Sequence, residues 1–266
     1  MNIRDLEPFL DALADAAAQA IMPHFRAGGA VEDKGGRFFD PVTMADRNAE
    51  SAMRKLINDN YPAHGIIGEE HGLEREDAEF VWVLDPIDGT RSFITGLPVW
   101  GTLIGLLRDG KPVLGMMAQP FTGERYSGDC TRSRYRGPGG ERSLTARPCT
   151  ALAEATLFTT TPAIFNTADR TQYDQVERSV RIARYGVDCY AYCMVAGGHA
   201  DLVVEAELKP YDIVALIPVI EGAGGRVTNW EGGSAAAGGR IVAVGDPRLL
   251  DKVLERLADT RTLFQP

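Results

Sequence analysis

The chain has 266 residues, 44% of them hydrophobic and 24% charged, with 37 acidic against 28 basic side chains and a formal net charge of −9. At roughly 150 residues per domain this is one large domain or two intimate ones, long enough for a sizeable core. The acidic balance argues against nonspecific binding to nucleic acid or acidic membranes as a primary role, and it suits cations, metals included.

In chain order, Leu6, Phe9, Leu10, Leu13, Ala17, Ala20, Ile21 and Phe25 share one face, which predicts a helix over 3–26 with Pro8 in its first turn. A polar loop follows at 32–37. A second helix is expected over 43–60, with Ala49, Met53, Leu56 and Ile57 inward and Pro62 as its stop. The apolar runs 65–68 and 80–84 read as buried strands. Runs at 102–107, 113–118 and 124–127, punctuated by Asp109-Gly110 and Thr122-Gly123, predict an antiparallel meander. From about 150 onward strands (156–160, 184–187, 201–205, 226–228, 241–244) alternate with helices (170–183, 189–197, 212–222, 247–257). That alternation predicts a partly parallel sheet covered by helices. The switch in pattern divides the chain into sub-domains 1–148 and 149–266, with no flexible linker between them.

The longest uncharged stretch, 92–107, is broken by Gly96, Pro98, Gly101 and Gly105, so no transmembrane helix is expected there. Acids at positions 5, 7, 11 and 15 leave no signal-peptide pattern. Four cysteines form no Cys-x-x-Cys pair, and Cys189 and Cys193, four apart on an expected helix, read as packed thiols. A reduced cytoplasmic protein is the expectation.

The chemistry concentrates in carboxylates. Asp85-Pro86-Ile87-Asp88-Gly89-Thr90 ends the apolar run 80–84, and Glu69 holds the same place relative to 65–67. Carboxylates at the ends of buried strands are costly without a compensating cation. If the strands are neighbours, the three acids share one crevice and raise each other's pKa unless a divalent ion lies among them. Hard oxygen ligands of this kind suit Mg²⁺ or Mn²⁺. Asp-Pro-x-Asp-Gly is also ordinary turn chemistry, with Asp85 starting a turn and Asp88 capping the next helix. Glu69 behind a second apolar run weighs against that simpler reading. Free N–H groups after Asp88 would make a phosphate cradle.

Gly68-Glu69-Glu70, followed by the stretch 82–90, resembles the inositol-monophosphatase-like family of Mg²⁺-dependent phosphatases. Pro210-Tyr211-Asp212-Ile213-Val214-Ala215 matches the second family signature, with Glu221-Gly222-Ala223-Gly224-Gly225 after it. The likeness covers nearly the whole chain. Within the family, 91–105, 184–192 and 203–206 look most like the histidinol-phosphatase branch.

The resemblance implies an α/β fold with α+β elements: a layered αβαβα sandwich, its first half built on an antiparallel sheet and its second on a mixed, partly parallel one. It implies two to three Mg²⁺ ions, for which Mn²⁺ can substitute. Glu69, Asp85 and the Ile87 carbonyl would hold the first ion, and Asp85, Asp88 and Asp212 the second. A third would lean on Glu69 and water. Lithium is expected to compete at the second position. Asp46 and Thr90 match the family's water-activating partners, with Glu69 completing the catalytic set. Taken alone, Asp46 is a first-turn acid stabilised by the helix dipole. Gly89, Thr90, Arg184, Asp188 and Glu205 are the expected substrate-binding positions. The implied reaction is in-line attack of an activated water on phosphorus, without a nucleophilic Ser or Cys.

Several residues read two ways. Asp188 suits a cationic substrate group or caps the helix from 189. Arg184 contacts substrate or braces Asp212. Lys34 and Arg37 close over the phosphate or are solvated loop charges. Six arginines between 125 and 147, balanced nearby by only Asp129 and Glu141, read as an exposed hairpin face turned to a dimer partner or steering phosphate inward. No aromatic platform accompanies them, so nucleic acid is not an expected partner. The expected activity is hydrolysis of L-histidinol phosphate, a small phosphorylated metabolite, by a homodimer with no membrane attachment. An inositol-1-phosphatase or promiscuous sugar-phosphate phosphatase is the near alternative. A non-catalytic phosphate- or RNA-binding regulator is the distant one.

Overall fold

The computed structural model describes residues 3–27, 32–33 and 41–258. A 3-10 turn at Ile3–Leu6 leads into α1 (Glu7–Ile21). This helix stops short of the expected residue 26 because Pro23 cannot continue the ladder. β1 (Glu32–Asp33) pairs with β2 (Pro41–Val42) as a short antiparallel ribbon. α2 (Met44–Asn60) starts as the sequence predicts: the Thr43 hydroxyl accepts from the Ala45 amide at 3.1 Å, and Asp46 accepts from the Thr43 amide at 2.8 Å.

The first sheet comprises β3 (Gly65–Gly68), β4 (Gly72–Glu74), β5 (Phe80–Asp88), β6 (Gly101–Arg108), β7 (Lys111–Gln119), β8 (Glu124–Gly128), β9 (Ser133–Gly137) and β10 (Gly140–Ser143), with α3 (Thr90–Ile94) between β5 and β6. Its order is β10-β9-β8-β7-β6-β5-β3-β4. All neighbours run antiparallel except β3 and β5, which run parallel with Gly68 opposite Leu84. The carboxyl ends of those two strands therefore lie at one edge, which is the neighbour relation the sequence left conditional.

The second half contributes β11 (Thr156–Thr159), α4 (Thr167–Glu177), β12 (Ile182–Tyr185), α5 (Tyr190–Ala196), β13 (Leu202–Leu208), α6 (Pro210–Ile213), α7 (Leu216–Gly222), β14 (Arg226–Asn229), β15 (Gly239–Val244) and α8 (Leu250–Ala258). The five-stranded sheet has the order β12-β11-β13-β15-β14, parallel around β11 and antiparallel around β15. It is the mixed sheet expected from the alternating pattern.

Three helix–sheet cores stack into five layers. Leu10, Leu13, Ala49 and Met53 of α1 and α2 pack on Trp82, Leu84, Ile104 and Met116. On the opposite face, Leu103 and Met117 meet Tyr192, Val195, Leu216 and Val219 of α5 and α7, and these also cover Val203, Ile241 and Ala243 of the second sheet. Tyr173 and Val176 of α4, with Val253 and Leu257 of α8, close the outside against Leu202, Val204, Val242 and Val244. Strand alternation makes this possible, because odd and even residues of β13 and β15 serve different layers. Gly115 lets the middle helices seat directly on β7, since a side chain there would collide with the Ala215 carbonyl.

Two further helices differ from expectation. The expected helix 212–222 is broken into α6 and α7. Pro218 has no N–H for the Val214 carbonyl and its ring clashes there, while Pro210 starts α6 early. The expected helix 170–183 is displaced to 167–177. Asn166 caps its start through the Ala168 and Asp169 amides, and 182–185 is needed as a strand beside β11. Among the described residues no helix is long and apolar enough to cross a membrane.

Candidate active site

β5 continues past Leu84, and its pairing with β6 slips there, so that three steps from Asp85 to Asp88 face two from Leu103 to Gly101. This bulge turns the strand end away from the ladder. The turn holds itself: Asp85 Oδ1 accepts from the Ile87 amide at 3.0 Å, Thr90 Oγ1 donates to the Ile87 carbonyl at 3.1 Å, and Thr102 Oγ1 donates to the Pro86 carbonyl at 2.8 Å. Gly89 sits at φ 83°, in the left-handed region, and a β-carbon on it would lie 2.7 Å from Asp188 Oδ2. Both conditions demand glycine.

Asp85, Asp88 and Asp212 each offer a carboxylate oxygen, and the three oxygens lie within 4.8 Å of one another. Burial first, then the charges of Glu69, Asp88 and Asp212, push the Asp85 carboxyl well above its ordinary range. Among those charges Glu69 acts on Asp85 most strongly. Burial and the charges of Asp188 and Asp212 raise Asp88 likewise, opposed by its bond to Cys189. Asp212 is pushed up to about 7, by burial first and then by Glu69 and Glu205, against the Lys209 amide and charge. Among the described residues no ion pair reaches Asp85, Asp88 or Asp212. The donor set, all hard oxygen and lacking a paired side-chain cation, fits a divalent ion.

Three of the acids are aimed by the backbone at helix starts. Asp46 accepts from the Thr43 amide and, at 2.6 Å, from its hydroxyl. Asp212 accepts from the Lys209 amide at 2.7 Å. Asp88 reaches across from the first sheet to accept, at 2.8 Å, from the amide of Cys189, the residue just before α5. Burial raises the Asp46 carboxyl, the Thr43 bonds oppose that, and the Glu69 charge adds to it. Asp46 thus feels Glu69. Its own hydrogen bonds go to Thr43, and Thr90 bonds to Ile87, so among the described residues no hydrogen bond joins Asp46 to Thr90.

Asp188 is not the cap of α5. It sits at φ 41° and turns back to accept from Ser92 Oγ at 2.5 Å, beside Gly89 and within the field of Asp88. Glu205, on the inner face of β13, is buried and accepts from the Thr160 amide and hydroxyl at 2.8 and 2.6 Å and from the Tyr192 hydroxyl at 2.8 Å. Burial raises both carboxyls. Arg184 does not brace Asp212: it is exposed on the edge strand β12, and Asp212 is held by Lys209 instead. Lys34 and Arg37 lie outside the described residues. All four cysteines are free, and burial pushes the thiols of Cys189 and Cys193 well up.

Ser92, Thr160 and Tyr192, which hold the two outer acids, were not singled out from the sequence, and no local spacing announces them. Glu50 was also missed, although a signal existed: Asp46 and Glu50 are two acids on the same helix face as Ala45, Ala49, Met53 and Ile57.

The arginine-rich segment includes an exposed hairpin, as expected, but its charge is balanced by acids from outside the segment as well as by Asp129 and Glu141. Arg125 pairs with Asp11 and Asp15, Arg132 with Glu7 and Asp129, Arg134 with Glu7 and Glu141, Arg136 with Asp11, and Arg147 with Asp201. Arg142 stacks on Tyr135. Three of those acids, Glu7, Asp11 and Asp15, come from α1, more than 100 residues away.

A family model described as the inositol monophosphatase family matches residues 3–262. The chain is 45% identical over 259 residues to the bifunctional phosphatase IMPL2, chloroplastic, of Arabidopsis thaliana, covering 93% of this chain and 73% of that protein. It is 35% identical over 221 residues to the histidinol-phosphatase of Mycobacterium tuberculosis, covering 82% and 84%. The solved structure of an inositol monophosphatase from Zymomonas mobilis superposes with a TM-score of 0.86 at 40% identity, covering 97% of this chain and 99% of that one.

Proposed function

Because the chain belongs to the inositol monophosphatase family and is a phosphoric monoester hydrolase, we propose that it uses Mg²⁺ to hydrolyse L-histidinol phosphate to L-histidinol and phosphate. The observation that carries the reading is the cluster of Asp85, Asp88 and Asp212, whose oxygens lie within 4.8 Å of one another without an ion pair among the described residues. Glu69, Asp85 and the Ile87 carbonyl would hold one ion, Asp85, Asp88 and Asp212 a second, and Glu69 would support a third. When bound, Mg²⁺ or Mn²⁺ lowers the pKa of a water and neutralises charge on the phosphate oxygens in an in-line displacement.

The chain's own residues set the geometry. Gly89 and Thr90 form the turn that receives the phosphate. Asp46 and Thr90 orient the attacking water, and burial of Asp46 suits it to hold a proton. Asp188 and Glu205 add two carboxyl groups within the field of Asp88 and Asp212, which supports an alcohol bearing cationic groups over a neutral polyol. The similarity to a protein named histidinol-phosphatase supports the same choice. Arg184, exposed at the end of the second sheet, contacts the outer part of the substrate. Inositol 1-phosphate is the second reading, favoured by the likeness to the Zymomonas mobilis inositol monophosphatase. The reading includes a homodimer.

Phosphate release from the two substrates at millimolar Mg²⁺, with and without chelator, tests it. Faster release from histidinol phosphate, lost on chelation, is the expected result. Equal or reversed rates would discard histidinol and keep the chemistry, and chelator-insensitive release would discard the metal.

A further inference from the structure

Glu50 stands one helical turn after Asp46 on α2, and the reaction above does not use it. Its side chain is fully buried, yet it is neither at the crevice nor spare. Oε2 accepts from the Glu70 amide at 2.7 Å, and Oε1 accepts from the His71 amide at 3.1 Å and from Arg54 Nε at 2.7 Å. Arg54 in turn donates to the Gly72 carbonyl and lies 3.4 Å from Glu74 Oε2. The pair thus grips, from one helix, the amides and a carbonyl of the turn that follows Glu69. Gly68 makes room for it, because a β-carbon there would collide with the Glu50 carboxylate.

A buried ion pair is an expensive way to hold a turn, since both charges lose their hydration and recover it only if every hydrogen bond is made. What it provides that a cheaper contact does not is fixed direction. Glu69 donates its own amide to the Leu84 carbonyl at 3.2 Å, which ties the near side of the turn to β5. Glu50 ties the far side to α2, so the backbone is held immediately before and after the Glu69 side chain.

We infer that Glu50 is a positioning residue that fixes the 69–72 turn and so holds the Glu69 carboxylate beside Asp85. This rests on the proposed role of Glu69 as a metal ligand. Groups that orient a ligand from behind typically cost 10- to 100-fold in metal affinity or activity when lost.

The test is Mn²⁺ binding to the full chain, followed by electron paramagnetic resonance, in wild type and Glu50→Gln, with melting temperatures alongside. Glutamine keeps the size but turns an NH₂ toward one of the two amides. Mn²⁺ affinity should fall at least about tenfold. The Mg²⁺ concentration for half-maximal phosphate release should rise in parallel, with kcat largely restored at saturating Mg²⁺ and the substrate KM unchanged. A lowered melting temperature with unchanged Mn²⁺ affinity would mean a merely structural residue and would overturn the inference. Absence of Mn²⁺ binding by wild type would overturn the metal reading beneath it. Should Glu50→Gln fail to fold, Gly68→Ala displaces the same carboxylate sterically, and unchanged Mn²⁺ affinity there overturns the inference equally.

Discussion

The acids of this chain divide between two regions that treat the same side chain in opposite ways. Along α1 and the β8–β10 hairpins, carboxylates meet arginines: burial alone would raise Asp11, but Arg125 and Arg136 hold it below its usual range. In the crevice at the ends of β3 and β5, burial and like charges push Asp85 and Asp88 upward, and no ion pair answers them among the described residues. The difference teaches where to look for function in an acidic protein. Charge that the fold neutralises internally is structural, whereas charge gathered and left unneutralised awaits something from solution.

The strongest way to break that comparison is Asp85→Asn. Phosphate release should fall by well over ~10²-fold, more than loss of an outer partner costs. The metal-free variant should also melt above metal-free wild type, because a buried like charge is gone. Near-normal turnover, or a lower melting point, would show the cluster to be something else. The converse substitution is Asp201→Ala, in a buried acid that accepts from Arg147 Nε at 2.8 Å and the Thr156 amide at 2.7 Å. It should cost about 2–3 kcal/mol in denaturant unfolding, with the half-exposed Arg147 contributing little, and leave turnover per folded molecule intact.

A pH series sharpens the contrast further. Asp212 is raised to about 7 when folded, so the folded state keeps a proton that the unfolded chain releases near pH 4. Metal-free stability should therefore decline as pH rises from about 4 to 7, by about 2–4 °C of melting temperature per kcal/mol lost. Saturating Mg²⁺ should abolish the decline, and a metal-free melting temperature flat across that window would contradict the assignment. The smallest effect belongs to Arg136→Ala, which removes an exposed pair with Asp11. A change below about 1 kcal/mol, fading with salt and without effect on phosphate release, is expected.

Much of the site was legible because its parts are local in sequence. Glu69, Asp85 and Asp88 sit at the ends of apolar runs, where position alone suggests them, whereas Asp46 and Asp212 took their roles from the family resemblance. Apolar periodicity gave the meander and the partly parallel second sheet, and the family resemblance implied their stacking into a sandwich. What escaped depends on distance or on a single residue's backbone chemistry. Arg125 and Asp11 are 114 positions apart, so the hairpin looked unbalanced until α1 was laid beside it. The division of the 212–222 helix turned on Pro218, whose effect falls four residues upstream. The parallel pairing of β3 with β5 could be framed only as a condition, since strand direction is decided by the crossover through β4 at the sheet edge.

The helix-start bonds of Asp46, Asp88 and Asp212 have an evolutionary consequence. A descendant that abandoned catalysis would still need those carboxylates to hold the amides that open their helices, each through a charged hydrogen bond worth about 1.5–3 kcal/mol. Asp88 is the most constrained, because the helix whose start it holds belongs to the other half of the chain and packs between the two sheets. Drift away from the activity would thus remove Glu69 before Asp88. A lineage could keep Asp46, Asp88 and Asp212, and so look competent in its sequence, long after it had ceased to turn over substrate.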